Sequence, residues 1–187
     1  VPPARIPSRG LEALLAELPE WLSRPGVAAI GPVGPGEGTP REEEVLLRQL
    51  ELARDLRRPV LLSLPADDAA RGARRALALL RESGVPAGRV LVDGAGAREL
   101  GLARAMGCVA LLPLSESRGA VEAAARTVRR LGPEGLALAS HAGEGGGDLL
   151  ALPRAADRMA RLGLSEAVIR RVAGRNAIAA LGLAPAE

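Results

Sequence analysis

One histidine, His141, sits in the stretch Ser140-His141-Ala142-Gly143-Glu144-Gly145-Gly146-Gly147-Asp148. Carboxylates and a single imidazole can hold a divalent ion, so Asp93, His141 and Glu144 could form a mononuclear metal site. With no second histidine and only Cys108 as a thiol, sites built on paired histidines, His–Cys sets or cysteines alone are excluded. A plainer reading stands beside this one: His141 hydrogen-bonded within its own loop, and Asp93 accepting backbone amides at a strand end. Ser63 or Ser140 with His141 and Asp93 supply the residue types of a Ser-His-Asp triad. A triad is a geometry, however, and no G-x-S-x-G elbow is present. The glycine-rich loops Gly31–Gly38 and Gly143–Gly147 could present amides to a phosphate. Neither has the spacing of a P-loop or a dinucleotide fingerprint, so both read as plain loops. Cys108 opens an apolar run and reads as a buried structural thiol.

These residues need elements to hold them. Five short apolar runs punctuate the chain: Val27–Ile30, Pro59–Ser63, Arg89–Asp93, Cys108–Leu112 and Gly135–Ser140. They are apolar at successive positions, as in strands covered on both faces of a parallel sheet. Helical patterns lie before and between them, at 11–22, 39–57, 68–81, 98–105 and 120–131, with 153–161 and 165–181 closing the chain. Thr39, Pro40 and Glu42 have the spacing of a capping box, and Leu46, Leu50 and Ala53 come next on one stripe. Ser165 is a second N-cap. Trp21 lies on the apolar side of the first helix, where it could pack into the core or meet a partner. Serial strand–helix units predict a parallel α/β fold in which function belongs at the strand carboxyl ends. Ser63, Asp93-Gly94, Pro113 with Ser115 and Glu116, and Ser140-His141 stand there. Periodicity alone does not separate a doubly wound sheet from a (β/α) barrel.

The length, 187 residues, suits a single domain spanning 1–187. All 25 basic residues are arginine, set against 22 acids, for a net charge of +3. The arginines alternate with acids along helix faces, and one Trp is the only aromatic residue. Base stacking therefore has no platform, and nucleic acid is not an expected partner. No apolar run approaches the ~18 residues of a membrane span. A lone cysteine and the lack of a signal-peptide pattern make the cytoplasm the expected location.

Taken in order, the segments resemble a known family. The opening VPPARIP is similar to the "H-x-G-I-P-P-R-x-I-P" motif of the archaeal-type branch of TatD-related metal-dependent hydrolases. VAAIGPVGPGEGTPREEEVLLRQLELARDLRRPVLLSLP resembles that family's "V-V-A-I-G-E-I-G-L…Q-L-x-L-A…P-V-I-V-H-T-P" block, and RVLVDGA its "V-V-I-D-H". The closing segment from Gly135 to Leu183 resembles "S-D-A-G…D-P-L-A-V-P-R…G-L-S-E-x-x-I-x-x-V-x-x-x-N-P". The likeness runs from Val1 to Leu183, and between Arg98 and Arg130 it is one of pattern and length.

The resemblance implies a TIM-barrel-like fold whose strand ends hold divalent metal, such as zinc or manganese, for hydrolysis. It also implies where the ligands would stand, and there this chain departs. Pro32 replaces the metal-bridging Glu, Ser63 and Gly94 replace histidines, and His141 replaces the final Asp. The first strand's H-x-H would lie before Val1. Proline and glycine offer no side-chain donor, and serine is a poor substitute for imidazole. The resemblance with these departures implies a catalytically degenerate homologue, a pseudoenzyme without a resident metal, acting as a scaffold or as a partner-binding or small-ligand-binding protein. The alternative is an active hydrolase of phosphoesterase or nuclease type, completed by upstream residues or a partner chain. About three strand units would precede this chain in the family barrel. The expectation is therefore an incomplete, N-terminally truncated barrel whose open edge is covered by oligomerisation or by a heteromeric partner.

Overall fold

The computed structural model describes residues 10–36, 38–65, 70–114, 119–142 and 148–183. Five strands form one parallel sheet: β1 (Ile30–Val33), β2 (Val60–Ser63), β3 (Val90–Asp93), β4 (Val109–Pro113) and β5 (Leu136–Ala139). Their order in the sheet is their order in the chain. A doubly wound sheet reverses at a switch point; this sheet adds each strand beside the last, which is the barrel pattern. The helices are α1 (Leu11–Ser23), α2 (Pro40–Asp55), α3 (Ala70–Ser83), α4 (Ala97–Ala105), α5 (Ala120–Leu131), α6 (Ala151–Arg161), α7 (Glu166–Arg170) and α8 (Asn176–Leu181).

The period of two along each strand sorts the core. Val60, Leu62, Val90 and Val92 share one face and pack with Leu46, Leu50 and Ala53 of α2 and Ala76 and Leu80 of α3. Ala110, Leu112, Leu136 and Leu138 continue that face against Val128 of α5 and Met159 of α6. On the opposite face Leu91, Val109, Leu111 and Ala137 meet Ala177, Ala180 and Leu181 of α8. Both faces are apolar and covered, as the strand runs predict.

Local chemistry sets the ends of the elements. Thr39 Oγ1 accepts the Glu42 amide at 3.3 Å, and Glu42 Oε2 accepts the Thr39 amide at 2.8 Å, so the capping box is closed with Pro40 at the first helical position. Ser165 caps α7 by accepting from the Val168 amide at 3.4 Å. The helix predicted over 165–181 is interrupted by a π-helical turn at Arg171–Arg175. A π turn holds an extra residue and re-aims the next stretch of helix. Asn176 opens that stretch, and its Nδ2 donates to the carbonyls of Pro133 and Leu136 at 2.7 Å each, tying α8 to the start of β5.

One expectation is corrected, and of the two readings open for Trp21 one is not met. The first strand is not Val27–Ile30 but Ile30–Val33, through Gly31-Pro32. Its register with β2 slips between Ile30 and Val33, three steps against two. Proline has no N–H to donate and is tolerated at such an irregularity on a sheet edge. A Cβ at Gly31 would stand 2.6 Å from Leu61 Cβ, so glycine is what lets the two backbones approach. Trp21 does not join the core. It is 50% exposed, with the Arg24 guanidinium 3.6 Å above its ring; α1 is anchored instead by buried Leu15 and Leu22 and by the ion pair of Glu12 with Arg48 on α2. No helix among the described residues is long and apolar enough to cross a membrane.

Cys108, 1% exposed at the foot of β4, yields a testable pH dependence. Burial pushes its thiol from an ordinary 9.0 up to about 11. Between those values the unfolded chain has given up the thiol proton and the folded chain has not, so stability falls as pH rises. The contribution is intact below the lower value and is lost towards the upper one, with a total of roughly 3 kcal/mol. Cys108→Ala is expected to flatten this alkaline slope. Urea unfolding of both proteins from about pH 8 to about pH 11 checks it, and parallel slopes would contradict it.

Candidate functional site

The strand carboxyl ends gather Ser63, Asp93, Pro113 and Ala139 at the top of β2 to β5, with Ser63 opposite Asp93 and Pro113 opposite Ala139 in the parallel registers. Asp93 ends β3, and its Oδ1 accepts the following Gly94 amide at 2.9 Å. His141 lies two residues beyond β5 with φ +50, a left-handed conformation uncommon for a residue with a side chain. Its Nε2 stands 3.2 Å from Asp93 Oδ1 and 3.1 Å from Oδ2. Because β4 lies between β3 and β5, this contact spans the end of the intervening strand. The two side chains are 20% (Asp93) and 33% (His141) exposed. Charge on the imidazole makes the contact an ion pair, and a neutral ring with its proton on Nε2 makes it an ordinary hydrogen bond.

The other assigned positions are built differently. Pro32 is exposed within the irregular part of β1. Gly94 has φ +71, and a Cβ there would stand 2.5 Å from the Leu64 carbonyl oxygen. Ser63 shares a register position with Asp93, but among the described residues it makes no hydrogen bond to His141, so no triad assembles. Glu144, the loop Gly143–Gly147, Ser115, Glu116 and the opening stretch before Gly10 lie outside the described residues.

A catalytic divalent ion takes about three protein ligands or more. Among the described residues no group of three or more histidine, cysteine, aspartate or glutamate side chains is placed to hold one. Asp93 and His141 are two donors, already engaged with each other, and they do not by themselves fit the metal that the resemblance implies. What the pair does in this geometry is fasten the segment after β5 to the end of β3. One half of the plainer reading is met, since Asp93 takes a backbone amide; the other is corrected, since His141 is bonded not within its own loop but to Asp93 on a strand two places away.

No protein-family model matches the chain. An uncharacterized metal-dependent hydrolase of Methanocaldococcus jannaschii is 28% identical over 166 residues, which is 89% of this chain and 66% of that protein. The chain thus spans just under two thirds of this relative's length. A TatD-like protein from Archaeoglobus fulgidus superposes with a TM-score of 0.75 at 23% identity, over 98% of this chain and 70% of that one. A phosphotriesterase homology protein from Escherichia coli, solved with phosphate in its active site, gives 0.70 at 21% identity, covering 93% and 68%. The lactonase of Listeria monocytogenes gives 0.60 at 15% identity, covering 78% and 51%. The structural likenesses establish the α/β barrel type of fold, and the sequence relation to a metal-dependent hydrolase runs along most of the chain.

Proposed function

We propose that this chain is a catalytically degenerate homologue of the TatD-related metal-dependent hydrolases, serving as a scaffold or as a binding module for a partner or small ligand. The observation that carries this reading is position 94. A histidine ligand there would need a Cβ where the Leu64 carbonyl oxygen already stands at 2.5 Å, on a residue with φ +71. The glycine is part of how β3 leaves the sheet beside β2, so the donor has not simply been exchanged on an unchanged backbone. Pro32, in an irregular edge strand, supports the same reading. Asp93 and His141 keep a structural task, and covering of the sheet's open edges by a second copy or another chain fits a scaffold.

Hydrolysis assays on an activated phosphodiester, with zinc or manganese added, test this. The expected result is no turnover above background for the chain, for Asp93→Ala or for His141→Ala. The two variants are expected to lose at most about 1 kcal/mol of stability, as for a partly exposed charged contact. Metal-dependent turnover abolished by His141→Ala would establish the opposite reading, an active hydrolase completed by residues beyond those described.

A further inference from the structure

The amino-terminal ends of the strands, opposite Asp93 and His141, carry a second feature. A cavity of about 310 Å³ lies where the chain enters β1, β2 and β3, roofed by the end of α8. Arg57, Arg58 and Arg89 line it together with Val27, Leu181 and Leu183, and no carboxylate is among its lining residues. Several arginines elsewhere are neutralised by acids, such as Arg154 by Asp148 and Arg171 by Glu134, each at 2.6 Å. Among the described residues none of these three arginines has an ion pair.

Two of them are fixed in place without being neutralised. Arg89 Nη1 donates to the Arg57 carbonyl at 2.7 Å, and Arg58 Nη1 donates to the Val27 carbonyl at 3.3 Å. A guanidinium has five N–H donors, so each keeps most of its capacity. Arg57 is held at φ +53 as the chain turns from α2 towards β2, its amide donating to the Arg54 carbonyl at 3.0 Å. Part of this charge is accounted for by the helix ends, since α2 and α8 both finish here and cations favour the carboxyl end of a helix dipole. Two half-charges, however, do not balance three full ones, and three like charges around one cavity repel each other unless an anion joins them.

We propose that this cavity is a binding site for a phosphate-bearing small molecule, separate from the strand carboxyl ends and independent of whether those ends are catalytic. Guanidinium forks match the oxygens of phosphate, and the volume sits at the lower end of the ~300–1,000 Å³ common for small-molecule sites.

Isothermal titration of the 187-residue chain with inorganic phosphate and with inorganic pyrophosphate, at constant ionic strength, tests the proposal. Saturable binding at one site is expected, and tighter binding of pyrophosphate would show that the site spans more than one phosphoryl group. Arg57→Gln and Arg89→Gln are each expected to weaken it about tenfold or more, the scale of one charge-assisted hydrogen bond. Arg126→Gln, on the exposed side of α5, should leave it unchanged. Circular dichroism reports whether each variant folds. Should Arg89→Gln unfold through loss of its bond to the Arg57 carbonyl, Arg57→Gln decides, because its side chain makes no hydrogen bond among the described residues. Absence of saturable binding for both anions, or equal weakening by Arg126→Gln, would overturn the proposal and leave the arginines as helix-end charges.

Discussion

Gly94→His, which puts an imidazole where the resemblance implies one, is expected to destabilise the fold by about 2–5 kcal/mol instead of creating a ligand. Two costs add. A side chain held in the left-handed region costs roughly 1–2 kcal/mol relative to glycine. The Cβ, 2.5 Å from the Leu64 carbonyl oxygen, then forces a backbone shift of the kind that costs about 1–3 kcal/mol in a packed site. Gly94→Ala carries the same Cβ and should show most of the loss, which separates the backbone effect from the imidazole. Urea unfolding measures both variants. A histidine tolerated within about 1 kcal/mol would mean that the position can return to a ligand, and the degenerate reading would lose its main support.

The second large effect is expected at Met159. It is fully buried between α6 and the β4–β5 part of the sheet, among Leu112, Leu136, Val128 and Ile169. Met159→Ala removes most of that side chain from a region filled otherwise by small and branched residues, and the expected cost is about 2–5 kcal/mol. The chain has almost no aromatic bulk with which to fill the gap. The loss should appear as a lower urea midpoint with an unchanged slope. A change below about 1 kcal/mol would mean that α6 is not packed on the sheet as described.

Much of the fold was legible because period and punctuation agree in the sequence. Runs ending at Ser63, Asp93 and Leu112 gave strands whose observed bounds differ by about one residue. Thr39, Pro40 and Glu42 gave the start of α2, and the helix over 120–131 matches α5. β1 was misplaced because Gly31-Pro32 reads as a breaker. On an edge strand next to Leu61, that dipeptide can instead continue the strand through an irregularity. The π turn at Arg171–Arg175 was invisible because its residues fit an unbroken helical pattern; it leads directly into Asn176, whose bonds to the start of β5 are made across the fold. Strand order, which decides between a doubly wound sheet and a barrel, depends on contacts far apart in sequence that no periodicity encodes.

The candidate site was legible in residue types and not in geometry. Asp93 and His141 were found because each closes an apolar run, but only the fold brings them to 3.1 Å across an intervening strand. The positions Pro32, Ser63, Gly94 and His141 were assigned through the resemblance of their flanking segments to the family's motifs. The reason that Gly94 resists reversal could not be read there, since it lies in the approach of the Leu64 carbonyl. Reading every arginine as part of a solvated helix face also hid Arg57, Arg58 and Arg89. They come just after a helix or just before a strand, and only the parallel sheet brings them to one cavity.

The central claim, loss of the family's metal site, is tested most directly by the metal content of the purified chain. Elemental mass spectrometry on protein prepared without chelators, with its mass confirmed and its fold checked by circular dichroism, gives the answer. The expected result is folded protein with far less than one equivalent of any transition metal. One or two equivalents of zinc or manganese, as in the metal chemistry of such hydrolases, would contradict the claim and make Asp93, His141 and Glu144 the first residues to replace.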